Sequence, residues 1–573
     1  MIGTLCFTTF ARADPRLLLV KIQGVRKTIK ENIRAELAIE SYKNKLLEDV
    51  QVSQLIFHAK EDIQAALEPF GYYTADIEIK RKKTNKYHRL TIKIKLNEPI
   101  KVQAIHWQIE GEGEHHPALI KLFETFPLHP GDTLKHEPYE NAKRDLLATA
   151  YFSGFIKAEF STHDIYINLE TKQANIYLTL NTDRLYTFGE VDFSDTYFKD
   201  RYLNRFIPFK VGNPFQPDGL LALQRNLILS DQFSQIKIDQ SPNELDATIP
   251  IHVELERAKP NKYTFGAGYG TDTGIRGVAG WERRWINRLG HRFSLQGNLS
   301  QVYNQGYAEY KIPGLDPIQD YTAFSASASE DEYSEKESEF WQLGISNKRN
   351  FNAWDRILSL YYRQERFKEF DNLLKNNEKL LLPTLELSRI EKDDPINPLD
   401  GYLIGMKLTG SIDTLFSDAS FTQLTARLNW LKTLNRKHIL LFRTQLGITA
   451  PKDVQKLPLS MRFYAGGDNS LRGFGYRTLP MSINKAGQNI SVGGAYLGIS
   501  SLEWEYRLKS PLGIATFVDA GNAFRGFDDT VEAGAGFGIR WHTPIGPLKV
   551  DLAKPLTKAA DAWRLHVTFG TGL

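Results

Sequence analysis

The sequence predicts a tandem of small α+β repeats followed by a transmembrane antiparallel β-barrel. Three observations predict it. A helix, a turn and an aromatic residue opening a strand recur three times before residue 260; apolar and polar residues alternate strand after strand beyond residue 261; and the two halves differ in glycine and tryptophan. Of 42 glycines, 10 fall in residues 1–261 and 32 in residues 262–573, and of nine tryptophans only Trp107 precedes residue 262. Glycine suits hairpins and crowded barrel interiors, while tryptophan favours a membrane interface that satisfies both its ring and its single N–H.

Bulk composition excludes more than it identifies. The 573 residues carry 72 Lys+Arg against 68 Asp+Glu, a net charge of +4 that points neither to a nucleic-acid binder nor to a disordered chain. The single cysteine, Cys6, allows no intramolecular disulfide and no cysteine-rich metal site. A mean hydropathy of −0.37 and the lack of a long apolar run exclude a helical membrane protein. A membrane barrel survives this test, because only alternate residues of a strand about ten residues long face lipid.

Residues 2–10 are mostly apolar or hydroxylic, and Ala11-Arg12-Ala13 before Asp14 fits the small-x-small rule of signal peptidase. Residues 1–13 are therefore expected to be the remnant of a signal peptide. Without a basic start, the natural signal is expected to begin further upstream. N-terminal sequencing that found Met1 on the mature protein would contradict this.

In the first repeat, Ile63, Ala66, Leu67 and Phe70 have helical spacing, Gly71 can close the helix in the left-handed conformation, and Tyr72 leads into Ile77 and Ile79. In the second, Leu146, Leu147, Ala150 and Tyr151 precede Gly154, with Phe155 expected to open the strand. In the third, Leu220, Leu223, Leu227 and Ile228 precede Ser230-Asp231, followed by Phe233, Ile236 and Ile238. Tyr72 and Phe155 are 83 positions apart, and Phe155 and Phe233 are 78 apart, so the repeat is of domain size. Alternating runs at 90–96, 176–180 and 249–255 close the copies, and runs at 18–22, 102–109 and 188–193 open them. The expected units are 14–97, 98–182 and 183–260. Their free sheet edges can accept an added strand from a client or partner, or the units are spacers. Lys80, Arg81, Lys82 and Lys83 are expected to form a solvated turn rather than a docking patch.

From residue 261 the barrel pattern takes over. Tyr263, Phe265, Ala267 and Tyr269 alternate with Thr264, Gly266, Gly268 and Gly270. Leu502, Trp504, Tyr506 and Leu508 alternate with Ser501, Glu503, Glu505 and Arg507; Ala533, Ala535, Phe537, Ile539 and Trp541 alternate with Gly534, Gly536, Gly538, Arg540 and His542. Leu548, Val550 and Leu552 alternate with Lys549, Asp551 and Ala553. Near the terminus Trp563, Leu565, Val567 and Phe569 alternate with Arg564, His566, Thr568 and Gly570. At roughly 20 residues per strand with its share of loop, residues 261–573 supply about sixteen strands, an even number as closed antiparallel barrels require. An open edge in hydrocarbon would leave backbone amides unpaired, so the sheet must close or manage that edge.

The turn-rich segment Tyr464-Ala465-Gly466-Gly467-Asp468-Asn469-Ser470-Leu471-Arg472-Gly473-Phe474-Gly475 holds an arginine between apolar residues. Glu503 and Asp519 occupy the polar phase of their strands and would project into the barrel. A loop folded inward could pair Arg472 with one or both carboxylates and brace the wall.

With these residues in view, the sequence resembles the BamA/TamA superfamily of outer-membrane assembly proteins over essentially the whole mature chain. The most specific elements are Arg472-Gly473-Phe474, matching the family's lumen-loop motif, then Ser501-Leu502-Glu503 and Phe517-Val518-Asp519-Ala520-Gly521 in the family's order. The resemblance implies α+β POTRA-like periplasmic repeats ahead of an outer-membrane barrel, and a loop-binding wall at Glu503, Asp519 and Gly521. It also implies a weak lateral seam between residues 263–269 and 564–569, lined by Gly266, Gly268, Gly270, His566, Thr568 and Gly570. Gly570 and Gly572 could let the last strand kink inward. Three units resemble the TamA branch rather than BamA, which has five, or two-partner secretion transporters, which have two. That branch implies a TamB-like inner-membrane-anchored partner on the first unit, unfolded outer-membrane proteins as clients, a lipid bilayer around the barrel and no nucleic acid. A general assembly pore of BamA type and a passive secretion channel stay open as alternatives.

No nucleophile elbow, paired-carboxylate motif, P-loop or His-x-x-x-His spacing stands out, so neither an enzyme nor a cofactor or metal is expected. His115-His116 beside Pro117 reads as a solvated turn, and the glycines of 266–270 lack the βαβ context of a phosphate loop.

Overall fold

The computed structural model describes residues 15–569 apart from 195–196, 334–335, 369–374, 415, 436, 451–456, 484–488, 509–510, 527, 545 and 558–561. The expected signal remnant, Cys6, Gly570 and Gly572 lie outside the described residues. Two compact units make up the chain, one of residues 1–192, 209–221 and 239–252, the other of residues 193–208, 222–238 and 253–573.

The first repeat runs β1 (Arg16–Gln23), α1 (Lys27–Glu36), β2 (Leu46–Leu47), α2 (Asp49–Leu67), β3 (Ala75–Lys83) and β4 (Tyr87–Leu96), with sheet order β2–β1–β4–β3. Leu18, Ile22, Leu90 and Ile92 point from the sheet onto Ile33 and Ile63 of the helices, which makes one dry core. The second runs β5 (Lys101–Glu110), α3 (Pro117–Glu124), α4 (His136–Phe152), β6 (Glu159–Asn168) and β7 (Gln173–Asn181), ordered β5–β7–β6 around Leu119, Leu146, Ile176 and Leu178. A third sheet, β8–β10–β9, is built from β8 (Thr187–Phe193), β9 (Phe233–Gln240) and β10 (Thr248–Arg257), with α5 (Asp200–Leu203) and α6 (Pro217–Leu229) between β8 and β9.

Several expectations need correction. Each repeat has a second helix that the sequence pattern did not show. The extra helices α1, α3 and α5 bury only two side chains each, too few to print a helical stripe on the sequence. Phe155 does not open a strand. Its N–H bonds to the Ala150 carbonyl at 2.9 Å and closes α4 past Gly154, and β6 begins at Glu159. Lys80, Arg81, Lys82 and Lys83 belong to β3 rather than to a turn, with Lys80 on Glu78 at 2.9 Å and Lys83 on Asp49 at 2.7 Å. His116 is the residue that starts α3 and sits edge-on to Phe155.

The Tyr73 hydroxyl and His136 Nε2 are 2.7 Å apart, joining the first two repeats. Burial holds the His136 imidazole below its ordinary pKa, and burial does the same to His88. The unfolded chain therefore binds more protons than the folded one as pH falls through about 6.5, so stability present above that value is lost below it. In a pH series of melting scans on the full chain, the transition of the repeats is expected to drop in temperature between about pH 7 and pH 5, and less so in His136→Gln.

Three residues separate β10 from the barrel. Its strands are β11 (Asn261–Gly270), β12 (Gly274–Arg283), β13 (Arg292–Leu299), β14 (Tyr303–Pro313), β15 (Tyr321–Tyr333), β16 (Lys336–Phe351), β17 (Trp354–Lys368), β18 (Lys375–Lys392), β19 (Gly401–Ser411), β20 (Phe421–Asn435) and β21 (His438–Ala450). A long loop containing the short hairpin β22 (Met481–Ile483) and β23 (Asn489–Ser491) follows. The wall then resumes with β24 (Tyr496–Arg507), β25 (Leu512–Phe524), β26 (Glu532–Thr543), β27 (Gly546–Pro555) and β28 (Arg564–Phe569). These form one 16-stranded antiparallel sheet, bearing out the expected fold class. The outward phase keeps Phe265, Leu502, Trp504, Phe537, Ile539 and Trp541 exposed, an apolar surface that only a bilayer covers. The wall is uneven in height: β11, β12 and β13 have 10, 10 and 8 residues, whereas β17 and β18 have 15 and 18. The sheet ends at β11 and β28, which approach without a ladder between them among the described residues; an ideal Cβ on Gly270 would lie 3.8 Å from the Val567 carbonyl oxygen.

Candidate functional site

The loop between β21 and β24 folds into the barrel because its apolar residues find a core there. Leu471 and Phe474 are buried with Phe463, Ala465, Leu479, Ile499 and Ala523. Short backbone and hydroxyl bonds tighten the turn: the Ser470 N–H donates to the Gly467 carbonyl at 3.1 Å, and the Ser470 hydroxyl accepts the Gly466 N–H at 3.1 Å. On one side the loop is anchored through Arg477 to Asp331 at 2.6 Å and through Ser460 to Glu365. On the other it presents Arg472 to the wall of β24–β27.

Arg472 is 2% exposed and spends every guanidinium nitrogen. Its Nε and Nη2 donate to the two oxygens of Asp519 at 2.8 and 2.9 Å, a bidentate fork, and its backbone N–H adds a third bond at 3.0 Å. Nη1 reaches Glu503 at 2.8 Å and Asp551 at 3.0 Å, and Nη2 reaches the Ser501 hydroxyl at 3.2 Å. The Phe517 ring centroid is 3.3 Å from the guanidinium carbon. Arg540, fully buried, closes the network by donating to Glu503 at 2.7 and 2.9 Å and to Asp551 at 2.5 Å. Strand register explains the convergence: Ser501, Asp519 and Gly534 are cross-strand partners, as are Glu503, Phe517 and Gly536, so all point to the lumen side by side. In so dry a place charges persist only because each carboxylate meets a guanidinium.

Gly534 makes room for the loop, since a Cβ there would sit 2.1 Å from the Arg472 carbonyl oxygen. Gly521, expected in the loop-binding wall, lies in the same phase of β25 as Asp519. Its φ of +147° and a would-be Cβ 2.0 Å from the Gly498 carbonyl oxygen mark a close backbone contact with β24. Gly473 donates its N–H to His566 Nε2 at 3.0 Å, so the loop also reaches the last strand. Gly266, Gly268 and Gly270 occupy the lumen phase of β11, opposite Val278, Arg276 and Gly274. Thr568 is opposite Lys549 on β27, in the same phase as His566, and Gly570 is outside the described residues. Sequence reading missed Asp551 and Arg540, although both stand in the polar phase of their strands, and it missed Asp468, Arg477 and Ser460 on the loop.

The chain that forms this inward loop and 16-stranded barrel after α+β repeats also matches a known family. The Omp85 superfamily domain matches residues 259–573. The chain belongs to the Omp85 superfamily. The POTRA domain TamA domain 1 family matches residues 19–96. Among curated proteins, this Omp85 chain is similar to outer membrane protein assembly factor BamA of Nitratidesulfovibrio vulgaris, 23% identical over 63% of the chain and 48% of that protein. It is also similar to BamA of Neisseria meningitidis serogroup B, 21% identical over 86% of the chain and 69% of that protein. The chain thus spans about half the length of the first of these relatives. The crystal structure of BamA from Haemophilus ducreyi lacking POTRA domains 1–3 superposes with a TM-score of 0.69 at 15% identity, covering 82% of this chain and 99% of that one. At that identity the likeness concerns the Omp85 fold.

Proposed function

We propose that this Omp85 chain is an insertase of the TamA type in a bacterial outer membrane, with residues 14–97, 98–182 and 183–260 as periplasmic POTRA-like units and residues 261–573 as the barrel. It assembles autotransporters and related barrel proteins through the gap between β11 and β28, without nucleotide. A TamB-like inner-membrane-anchored partner docks on the first unit. The observation that carries this reading is the missing ladder: fifteen neighbouring strand pairs in the barrel are hydrogen-bonded and the pair that would close it is not, among the described residues. An edge whose amides face hydrocarbon is costly, and an incoming strand relieves that cost with main-chain bonds. The short strands β11–β13 beside the gap lower the barrel wall there and favour a thinned bilayer. Gly266, Gly268 and Gly270 leave the lumen side of the edge bare for a client, and Arg472 on Glu503 and Asp519 keeps the wall that leads to β28 stiff while the gap yields. The match of residues 19–96 to a TamA POTRA domain supports the branch.

A seam disulfide tests the reading. In a Cys6→Ser background, Gly268→Cys with Thr568→Cys, oxidised, is expected to cut client assembly by about tenfold or more and to recover on reduction. Oxidised protein that assembles clients at the reduced rate would overturn a gating seam. Depletion with an inventory of outer-membrane proteins decides the branch: loss of autotransporters alone supports it, loss of every barrel protein favours a BamA-type pore, and no loss favours a channel.

A further inference from the structure

The lumen loop also touches both edges of the open seam, at one buried polar cluster. Thr271, the first residue past β11, donates its hydroxyl to Asp468 of the loop at 2.9 Å and accepts the Val567 N–H of β28 at 3.1 Å. His566 of β28 lies with Nδ1 2.5 Å from the Asp468 carboxylate. Its Nε2 takes the Gly473 N–H at 3.0 Å. A backbone N–H can only donate, so Nε2 is the acceptor and Nδ1 carries the proton toward Asp468. Asp272, in the turn after β11, accepts the Asp468 N–H at 2.5 Å. Asp468 and His566 are buried. Both ring nitrogens are engaged, so Asp272, Asp468 and His566 form a hydrogen-bonded cluster and not an open cation site.

We propose that Asp468 and Thr271 are a latch that holds the seam shut from inside. Asp468 grips the first strand through Thr271 and the last through His566, while Thr271 spans the gap itself. Among the described residues, the bond from the Val567 N–H to the Thr271 hydroxyl is the side-chain to main-chain link across the ends of β11 and β28. The geometry also supplies the release. The Val567 N–H points across the gap and is occupied by a hydroxyl, a weaker and more exchangeable acceptor than the carbonyl that an added strand brings. A client strand pairing with β28 therefore takes the same N–H that the latch uses. Once Thr271 is displaced, the Asp468 carboxylate loses its bond to the end of β11, and only the bond from its N–H to Asp272 remains there. Opening is thus driven by the extended main chain of the client, whatever its side chains. Arg472 is not part of this device: it fastens the loop to β24–β27 and leaves Asp468 in place to act.

The inference rests on the lateral-seam reading, and the experiment separates the two. Full-length protein is reconstituted in planar bilayers, and seam closure is read both as the frequency of conductance openings and as the rate of disulfide formation in the Gly268→Cys, Thr568→Cys background. Thr271→Val is expected to raise opening frequency by about tenfold or more and to slow disulfide formation, as loss of a buried hydrogen bond implies; Asp468→Asn, which keeps one acceptor oxygen for Thr271 and His566, is expected to act in the same direction but less. Thr271→Ser, which restores the hydroxyl, is expected to behave as wild type. A heat-dependent shift in gel mobility reports barrel folding, and Thr271→Val, which removes one hydroxyl at constant volume, carries the test should Asp468→Asn not fold. Opening frequency and disulfide rate unchanged in folded Thr271→Val would overturn the latch, even if the seam disulfide still blocks client assembly. A raised frequency supports the latch even if that disulfide leaves client assembly untouched, in which case the insertase reading fails alone.

Discussion

Arg472→Ala is expected to destabilise the barrel by about 3–5 kcal/mol, the cost of stranding buried carboxylates whose partner has gone. Asp519 would lose the bidentate fork, and Glu503 and Asp551 would keep their hydrogen bonds from Arg540. The loss reads out as a lower temperature for the heat-dependent gel shift and a lower urea midpoint in detergent. Arg472→Lys is expected to recover little of it. A single ammonium cannot reproduce a fork that meets both oxygens of Asp519 while a third nitrogen reaches Glu503 and Asp551.

A second large effect is expected at a residue with no charge at all. Gly534→Val places a branched side chain where the Arg472 carbonyl oxygen lies 2.1 Å from the Cβ position. Neither neighbour can retreat, because one is strand backbone and the other is the backbone of a loop held by three acids. The expected outcome is expulsion of the loop, at a cost of the same order as Arg472→Ala, about 3–5 kcal/mol, since the same carboxylates are left unpaired. The two changes break one structure. In the double variant the losses are expected to fall well short of their sum. Gly526, with open space around its Cβ position, is a suitable control, and Gly526→Ala is expected to be neutral.

The barrel was readable in the sequence because period-two alternation and the partition of glycine and tryptophan are both consequences of a sheet facing lipid outside and a crowded lumen inside. Leu502, Trp504 and Tyr506 declare their face as soon as Ser501, Glu503 and Glu505 are written between them. The meeting of Arg472 with Glu503 and Asp519 follows the same logic, since a loop arginine must find acids in the polar phase. Asp551 and Arg540 stand in that phase too, but so do Lys549 and Arg564, and nothing local says which of them the loop will reach. The Asp468–His566 contact joins residues 98 apart and depends on where the loop turns, which only the assembled lumen decides. The short helices α1 and α3 escaped for a different reason. With Ile29 and Ile33, or Leu119 and Phe123, as their only buried side chains, they owe their existence to packing on the sheet rather than to a periodic stripe.

A double-mutant cycle between Arg472→Ala and Asp519→Ala, read as the urea midpoint of the folded barrel in detergent, bears most directly on the claim that the loop is fastened from within. The fork predicts a coupling energy of about 2 kcal/mol or more, so that the double variant loses less stability, by that amount, than the two single losses added together. Losses that simply add would mean that the two side chains do not hold each other, and the account of the lumen loop would be wrong.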